Sequence, residues 1–195
     1  MKTKFPDKPG AEMDDGFSAG IINVDGTHYG LILPPKAESE HAPIVWNDSL
    51  KMVKDALSYC DGLANTKAMG KAGSQLAQWA LDNKMHLPSL DEMELFYRHF
   101  KPGTAKNTCY ARAGINLSTV PPTYPYTSDS PKQTKPKAFR EGGPEAFELA
   151  WYWTSTQHAA GPGGAWVQGF GNGGQDFDLK SAVYRARAVR RLIIQ

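Results

Sequence analysis

The stretch from Trp151 to Leu192 constrains the fold of this chain more than any other part of it. Short runs rich in aromatic residues, threonine and valine alternate there with glycine clusters at 161–164 and 171–174. Such runs, separated by glycine turns, are typical of successive antiparallel strands. The pattern predicts strands near 151–156, 165–170, 174–179 and 183–191. Three of the five tryptophans lie in this stretch, so we expect it to supply much of the core.

A second strong signal for β-structure lies near the start of the chain. Residues 17–24, the dipeptide Asp25-Gly26 and residues 27–33 predict a hairpin closed by a two-residue turn. Both faces of the hairpin are partly apolar, so we expect it to lie centrally in a sheet. We also expect the hairpin and the last strand to meet in one sheet, which places both chain ends on the same side.

Helical periodicity occupies the segment that follows the hairpin. Apolar residues spaced three and four positions apart predict helices over 49–60 and about 66–82, the second with Asn65 or Thr66 as its N-cap. A third helix is predicted to begin at Ser89, because a glutamate three residues later completes a capping box. The sequence Pro102-Gly103 ends this helix.

The predicted elements define one domain with two additions. Residues 1–16 are polar and predict an N-terminal arm that orders only by docking on something else. Residues 17–195 form the domain, with a long proline-rich loop insertion at 102–147. That loop contains Tyr110, Tyr124, Tyr126 and Phe139, which could pack it onto the body, and a disordered loop is the alternative. A hairpin, then helices, then antiparallel strands indicates the α+β class.

Composition excludes several classes of function. The net charge of +2, from 22 basic and 20 acidic side chains, is far from the basic excess of a nucleic-acid binder. The dense basic run Arg185, Arg187, Arg190 and Arg191 is more typical of a solvated edge strand. No apolar run is long enough to cross a membrane, and the N-terminus lacks a secretory signal, so we expect synthesis in a cytoplasm. The two cysteines form neither a disulfide framework nor a zinc site.

Four motifs occur in an order that resembles a known domain family. They are Leu87-Pro88-Ser89 with Glu92 and Leu95, Trp153-Thr154-Ser155-Thr156, Ala165-Trp166 with Phe170, and Arg187-Ala188-Val189-Arg190. The chain resembles the bacterial and phage family related to the C-terminal domain of a collagen-like adhesin. The resemblance covers about residues 17–100 and 148–192. It implies a C-type-lectin-like fold, with paired N- and C-terminal strands, two to three helices and a second small antiparallel sheet.

The resemblance also implies a role in a phage particle. The segments 34–38 and 150–157 are similar to versions found in tailed phages and prophages. This implies a non-enzymatic binding module of the tail, fibre or baseplate that contacts a host-surface glycan or protein receptor. The alternative is a structural virion protein of the baseplate, tail or capsid, held through 1–16 and 102–147. The expected partners are other virion subunits and a host receptor, the expected location is the virion, and the oligomeric state stays open, with a homotrimer as one expectation.

The chain departs from the family and from animal lectins in ways that limit the inference. His86 stands where the family favours arginine. The disulfides and the calcium-ligating Glu-Pro-Asn and Trp-Asn-Asp motifs of animal lectins are missing from the sequence. Calcium-dependent sugar binding is therefore not implied.

The turns at 157–164 and 171–182 are expected to emerge on one side of the small sheet and to present the binding residues. The candidate ligand-binding residues are Gln157, His158, Asn172, Gln175, Asp176, Asp178, Lys180 and Tyr184. Amide, carboxylate and aromatic groups on glycine-bounded loops suit polar ligands such as glycans or a protein epitope. Asp176, Asp178 and Asn172 could hold calcium, but a solvated polar face is favoured because the spacing of a loop-type cation site is missing. Trp166 and Phe170 are expected in the core.

No catalytic constellation stands out in the sequence. Ser155 does not lie in a strained nucleophile elbow, and no glycine-rich loop opens a helix as a phosphate site would. A lectin-fold oxidase would need a reactive cysteine pair, but Cys60 and Cys109 lie in a predicted helix and a loop. The five histidines share no metal-ligand spacing. We therefore predict a protein that is not an enzyme, with no catalytic residue, no metal and no cofactor.

Overall fold

Two β-sheets with helices packed against them form this α+β protein in the computed structural model, which describes residues 5–109, 112 and 114–194. In chain order the elements are β1 (Glu12–Met13), β2 (Gly16–Val24), β3 (Thr27–Leu33), α1 (Lys36–Ser39), β4 (Glu40–Val45), α2 (Gly62–Lys71), α3 (Gln75–Asp82), α4 (Leu90–Phe100), β5 (Trp151–Gln157), β6 (Gly164–Gly169), β7 (Gln175–Leu179), β8 (Val183–Arg187) and β9 (Arg190–Ile193). The first sheet has the strand order β1-β2-β3-β9, and the second has the order β4-β8-β5-β6-β7. Neighbouring strands are antiparallel except for β5 and β8, which are parallel.

The N-terminal hairpin is confirmed. Val24 pairs with Thr27 across a turn in which Asp25 has φ 49° and Gly26 has φ 87°. Two positive φ values define the mirror-image turn that matches the twist of a hairpin, and this turn favours Asp-Gly. The predicted pairing of the hairpin with the last strand is also confirmed, because β9 lies antiparallel to β3.

The predicted C-terminal strands are confirmed in outline, with one correction. Strands β5, β6 and β7 lie within about a residue or two of the predicted ranges, but the range 183–191 is two strands in different sheets. The break occurs because Val189 exchanges two backbone hydrogen bonds with His86, each with a donor–acceptor distance of 2.8 Å. The N–H of Ala188 donates to the carbonyl of Ser39. Because Ala188 and Val189 make these bonds, β8 ends at Arg187 in the second sheet and β9 begins at Arg190 in the first sheet.

The predicted helix over 49–60 is wrong. This segment is irregular, because its backbone groups bond to partners other than the helical carbonyls. The N–H of Ser49 donates to Asn47 Oδ1, and the N–H of Val53 donates to Oε1 of Gln157. Of the apolar residues whose spacing suggested a helix, Val53 is buried, but Leu50 is 46% exposed.

The predicted helix over 66–82 is two helices. Asp61, rather than Asn65 or Thr66, caps α2 by accepting a hydrogen bond from Ala64 N at 2.9 Å. The helix ends before Gly73, whose φ is +86°, and Ser74 then caps α3.

Asn65 and Thr66 lie buried within α2, where their side chains bond to the backbone of neighbouring segments. Asn65 Nδ2 donates to the carbonyl of Ser58, and Thr66 Oγ1 accepts from the N–H of Leu87. The predicted caps are therefore wrong because both residues lie inside α2, which begins at Gly62.

The predicted start of α4 is confirmed. Ser89 Oγ accepts from the N–H of Glu92 at 3.3 Å, and Glu92 Oε2 accepts from the N–H of Ser89 at 2.7 Å. The two bonds form a capping box, and the helix runs from Leu90 to Phe100. None of the helices within the described residues is long and apolar enough to cross a membrane.

Residues 5–16 differ from the predicted free arm. Phe5 is buried against Gly30, where a Cβ atom would lie only 2.4 Å from its ring. Ser18 Oγ donates to the carbonyl of Lys8, and β1 pairs with β2 at the edge of the first sheet. The segment therefore docks on its own domain, while residues 1–4 lie outside the described part.

The burial of Phe5 also bears on the chain ends. Gly30 pairs with Leu192 on β9, so Phe5 and the end of β9 lie beside the same glycine. The prediction that both ends lie on one side is confirmed for the described residues.

The described part of the 102–147 loop packs on the body. Tyr126 and Phe139 are buried in the core that also contains α4, whereas Tyr124 is 83% exposed. Tyr126 Oη donates to Glu94 Oε1 at 2.8 Å. Tyr110 lies outside the described residues.

The core has two parts, and the aromatic residues of β5, together with the one that directly follows β6, divide between them. Tyr152 and Phe170 lie in the part that joins the first sheet, α4 and the loop. Trp153 lies in the other part, with Trp46, α2 and α3. Phe170 is buried as expected, but Trp166 is only partly buried and lies outside both clusters.

Candidate binding surface on the second sheet

Three of the eight predicted binding residues are buried, contrary to the expectation that the turns present them. Gln157 and Lys180 bond to each other, with Lys180 Nζ at 2.5 Å from Gln157 Oε1. Lys180 Nζ also donates to the carbonyl of Lys51 at 2.8 Å and lies 4.8 Å from the centre of the Trp46 ring. These two side chains therefore hold the irregular 49–60 segment in place. The third, Gln175, is buried without such partners.

The buried ammonium group of Lys180 has unusual surroundings. Its hydrogen-bond acceptors are a carbonyl and an amide oxygen, with no carboxylate among them. Burial lowers the pKa of Lys180 from 10.5 to about 8, because the charged form loses its hydration.

Asp176 and Asp178 lie on the edge strand β7 of the second sheet, and the hydroxyl of Tyr184, on β8, reaches Asp178. Tyr184 Oη donates to Asp178 Oδ2 at 2.6 Å, and this bond, together with burial, raises the pKa of Tyr184 to about 12. The carboxylates also accept from the backbone N–H groups that follow them, at Phe177 and Leu179. Since β7 is an edge strand, these bonds occupy N–H groups that an added strand would use. Within the described residues no group of three or more His, Cys, Asp or Glu side chains is arranged to hold a metal.

Trp166 on β6 and Phe177 on β7 lie on the opposite face of the sheet, where the rings of Tyr59 and His158 contact them. We call these four rings the aromatic surface. The rings of His158 and Phe177 stack with centroids 4.0 Å apart, and those of Trp166 and Phe177 are 5.9 Å apart. Tyr59 lies 6.4 Å from Trp166. Phe177 is 48% exposed. His158 alone among the four was predicted as a binding residue.

Strand register explains why these side chains meet. Trp166 pairs with Phe177, and Gln168 pairs with Gln175. Residues two apart on a strand point to the same face. Trp166 and Gln168 on β6 therefore lie on one face with Phe177 and Gln175 on β7. The alternation of residues along the two predicted strands could have shown which side chains share a face of each strand. Only the register between the strands shows which residues lie opposite each other.

Five polar atoms in this region are buried and have no hydrogen-bond partner within the described residues. They are His158 Nδ1, Trp166 Nε1, Gln168 Oε1, Gln175 Oε1 and Gln175 Nε2. Each unpaired buried polar atom costs about 1–3 kcal/mol of stability. Such groups are rare in folded proteins, and a cluster of them calls for an explanation. The buried, unpaired amides of Gln168 and Gln175 lie next to Trp166 and Phe177 along β6 and β7.

Asn172, the remaining predicted residue, is exposed in the turn between β6 and β7. Its side-chain Oδ1 accepts from the N–H of Gly174 at 3.2 Å. The turn is fixed by Gly173, where a Cβ atom would lie 2.3 Å from the ring of Tyr97. The turn therefore holds Asn172 close to Gln175, the first residue of β7.

The hydroxyl groups of the Thr-Ser-Thr run in β5 are buried and bond mainly to the backbone. Thr154 Oγ1 donates to the carbonyl of Trp166 at 3.0 Å, and Thr156 Oγ1 donates to the carbonyl of Ser58 at 2.8 Å. Cys60 and Cys109 are both free thiols. Burial is the main cause that raises the pKa of the Cys60 thiol, which disfavours its reactive thiolate form.

A separate cleft of about 590 Å³ lies between β2, α4 and the 119–124 segment. Its walls include four prolines and His99. The ring Nδ1 of His99 is 2.9 Å from the carbonyl oxygen of Ala19, and burial lowers the pKa of this histidine. The residues that line the cleft do not include any of the aromatic surface.

The fold and the site define an α+β protein with an exposed group of rings beside unpaired polar atoms on its second sheet. Comparison with known proteins found no matching family model, no matching curated protein and no matching solved structure. Arguments about function therefore rest on the geometry of this chain.

Proposed function

We propose that this protein is a non-enzymatic binding module that contacts its target through the aromatic surface. The observation that supports the proposal is the group of contacting rings beside β6 and β7, in which Phe177 is 48% and Tyr59 38% exposed. Aromatic side chains are enriched at binding interfaces, where their flat area is covered and their polar edges find partners.

We further propose that the module has a C-type-lectin-like fold and belongs to the particle of a tailed phage or prophage. Paired N- and C-terminal strands, helices and a second sheet agree with what the sequence resemblance implies. The target is then a host-surface glycan or protein, and the other partners are tail, fibre or baseplate subunits. The buried hydroxyls of Thr154 and Thr156 and the disfavoured thiolate of Cys60 support a role without catalysis.

The proposal is tested by removing one exposed ring. We expect Phe177→Ala to weaken retention of the purified protein on bacterial cells at least tenfold, since an aromatic residue at the centre of an interface contributes about 2 kcal/mol or more. Tyr124→Ala is the matched control, because Tyr124 is also an exposed ring but lies in the 102–147 loop. Circular dichroism checks that both variants fold. Equal retention of wild type and both variants would contradict the proposal.

A structural virion protein is the second candidate, and one observation favours it. Ile115, Leu117 and Tyr124 expose 46%, 76% and 83% of their surface in the 102–147 loop. Exposed apolar side chains on a loop suit contact with a neighbouring subunit. On this hypothesis Leu117→Ser prevents incorporation into particles, whereas Phe177→Ala particles assemble and adsorb normally.

A further inference from the structure

We infer that the cleft between β2, α4 and the 119–124 segment binds a small uncharged molecule with an apolar body and one hydroxyl or N–H group that donates a hydrogen bond. A simple phenol has this chemistry. The cleft is separate from the aromatic surface, so the inference goes beyond the proposed function and does not depend on it. It rests on a ring nitrogen of His99, on the charges along the lining and on the apolar walls.

His99 supplies one hydrogen-bond acceptor to the cleft. Its Nδ1 lies 2.9 Å from the carbonyl oxygen of Ala19, and a carbonyl only accepts, so Nδ1 carries the proton and donates. In the neutral ring Nε2 then has a free lone pair. Within the described residues Nε2 has no hydrogen-bond partner, and it is not among the buried polar atoms that solvent cannot reach. Because His99 lines the cleft, a molecule bound there can donate to Nε2.

The charge state of His99 favours a ligand that donates. Burial lowers the pKa of His99 below its ordinary value of 6.5, the bond to Ala19 offsets part of this effect, and the positive charge of Arg98 lowers the pKa further. The ring is therefore neutral at pH 7 and above. A carboxylate or phosphate only accepts, so it would place its negative charge beside the lone pair of Nε2 without a bond.

The charges along the lining favour an uncharged ligand. Arg98 and Asp7 contribute one charge of each sign, so the lining has no net charge while His99 is neutral. Arg98 is also paired with the buried carboxylate of Glu94, with its Nε 3.0 Å from Glu94 Oε1, which weakens its attraction for an anion. The charge of Arg98 that disfavours the protonated ring of His99 disfavours any other cation beside that ring.

The remaining walls of the cleft are mainly apolar. They include Ile21, Leu95, Val120 and the four prolines. The volume of about 590 Å³ lies within the range of about 300–1,000 Å³ that is typical of small-molecule sites, which combine apolar walls with a few polar groups. An apolar body that covers these walls removes them from water, and this supplies the main part of the affinity.

Hydrogen bonds hold the walls in place before a ligand binds. The N–H of Val120 donates to the carbonyl of Ile21 at 3.0 Å, and Arg98 Nη2 donates to the carbonyl of Tyr124 at 2.8 Å. On the other side, the N–H of Gly10 donates to the carbonyl of Ser18 at 2.8 Å. Binding therefore does not require these segments to become ordered, which would reduce the affinity.

The first experiment compares three probes of similar size by NMR of the isotope-labelled protein at pH 7.5: p-cresol, toluene and benzoate. We expect p-cresol to bind with a Kd of about 1 mM or tighter and to shift the Nε2 resonance of His99. Toluene has the same ring and methyl group but no donor, so it should bind about fivefold more weakly. Benzoate should bind more weakly than p-cresol. The inference is overturned by equal binding of toluene and p-cresol, by tighter binding of benzoate, or by no shift of His99 with p-cresol.

The second experiment uses variants of the cleft. His99→Phe keeps a flat ring but removes Nε2, so we expect p-cresol to bind no better than toluene, while toluene still binds. If His99 had only a structural role, both probes would weaken equally, and this result would contradict the inference. Val120→Trp enlarges a side chain of the wall and should block both probes, whereas Lys135→Trp, at an exposed position of the same loop, should not. Circular dichroism checks that each variant folds.

The third measurement needs no substitution. Because p-cresol binds the neutral ring, it should lower the pKa of His99 in an NMR titration, whereas toluene should change this pKa less. Arg98 on α4, Asp7 in the N-terminal segment and Tyr124 in the loop are the charged or titratable groups that share the lining with His99. Their effects on the cleft appear equally with toluene. A pKa of His99 that p-cresol leaves unchanged or raises would contradict the inference.

Discussion

The buried Lys180 predicts an unusual dependence of stability on pH. Its pKa is about 8 in the folded protein, against 10.5 when the side chain is exposed. Between these values the unfolded chain binds the proton and the folded protein releases it. Stability therefore rises with pH across this window, because the unfolded state holds more protons there. Below about pH 8 both states are protonated, and the burial penalty is present in full.

The size of the effect follows from the two pKa values. Their difference corresponds to roughly 3.4 kcal/mol at about 1.4 kcal/mol per pKa step. Roughly 2.5 kcal/mol of this falls between pH 7 and pH 10. The two oxygens that bond to Lys180 Nζ and the ring of Trp46 stabilise the ammonium form. These contacts reduce the gain, so we expect about 1–2.5 kcal/mol.

The assay compares wild type with Lys180→Met by urea denaturation at pH 7, 8, 9 and 10. Methionine keeps an unbranched side chain over Trp46 and removes the charge. We expect wild type to gain stability relative to Lys180→Met as pH rises. Lys54→Met is the control at an exposed position and should follow wild type. Tyrosines and other lysines titrate in all three proteins and cancel in the comparison. If wild type and Lys180→Met change in parallel over this range, the argument is refuted.

Three other substitutions test the packing and the bonds described above. Gly62→Ala should destabilise the protein by about 1–3 kcal/mol in urea denaturation, because its Cβ would lie 2.1 Å from Glu92 Oε2 and 2.6 Å from a backbone oxygen. Gly70→Ala in the same helix meets a methyl group of Leu81 at 3.2 Å and Gln78 Oε1 at 3.9 Å, both on side chains, and should be tolerated. Glu92→Ala should lower the unfolding free energy by about 1–2 kcal/mol through loss of the capping box, and an unchanged denaturation midpoint would contradict this. Asp178→Asn should bring the pKa of Tyr184 from about 12 toward its ordinary value of 10.0, seen as an earlier phenolate absorbance change that Tyr184→Phe removes.

The elements that the sequence predicted well are those whose chemistry is local. The Asp25-Gly26 turn and the Ser89–Glu92 capping box each need only neighbouring residues to satisfy their backbone groups. No partner elsewhere in the chain is needed, so short motifs are sufficient evidence for them.

The elements that were predicted wrongly depend on distant partners. Residues 49–60 have helical spacing, but Gln157 takes the N–H of Val53 from more than one hundred positions away. In the same way, His86 decides where the extended run 183–191 leaves the second sheet. Spacing alone contains no information about either partner.

The predictions of binding residues failed for the same reason, because they depended on partners far away in the chain. Gln157 and Lys180 were predicted as ligand contacts because they are polar residues close to glycine turns, but they bond to each other inside the protein. Phe177 was not among the predicted binding residues. Its exposure follows from the position of β7 at the sheet edge, which becomes apparent only from the strand order.

Phe5 packs against Gly30, which pairs with Leu192 on β9, so the two ends of the described chain lie close together. A polypeptide that enters and leaves at one point can be inserted into a loop of a carrier with little disturbance of either fold.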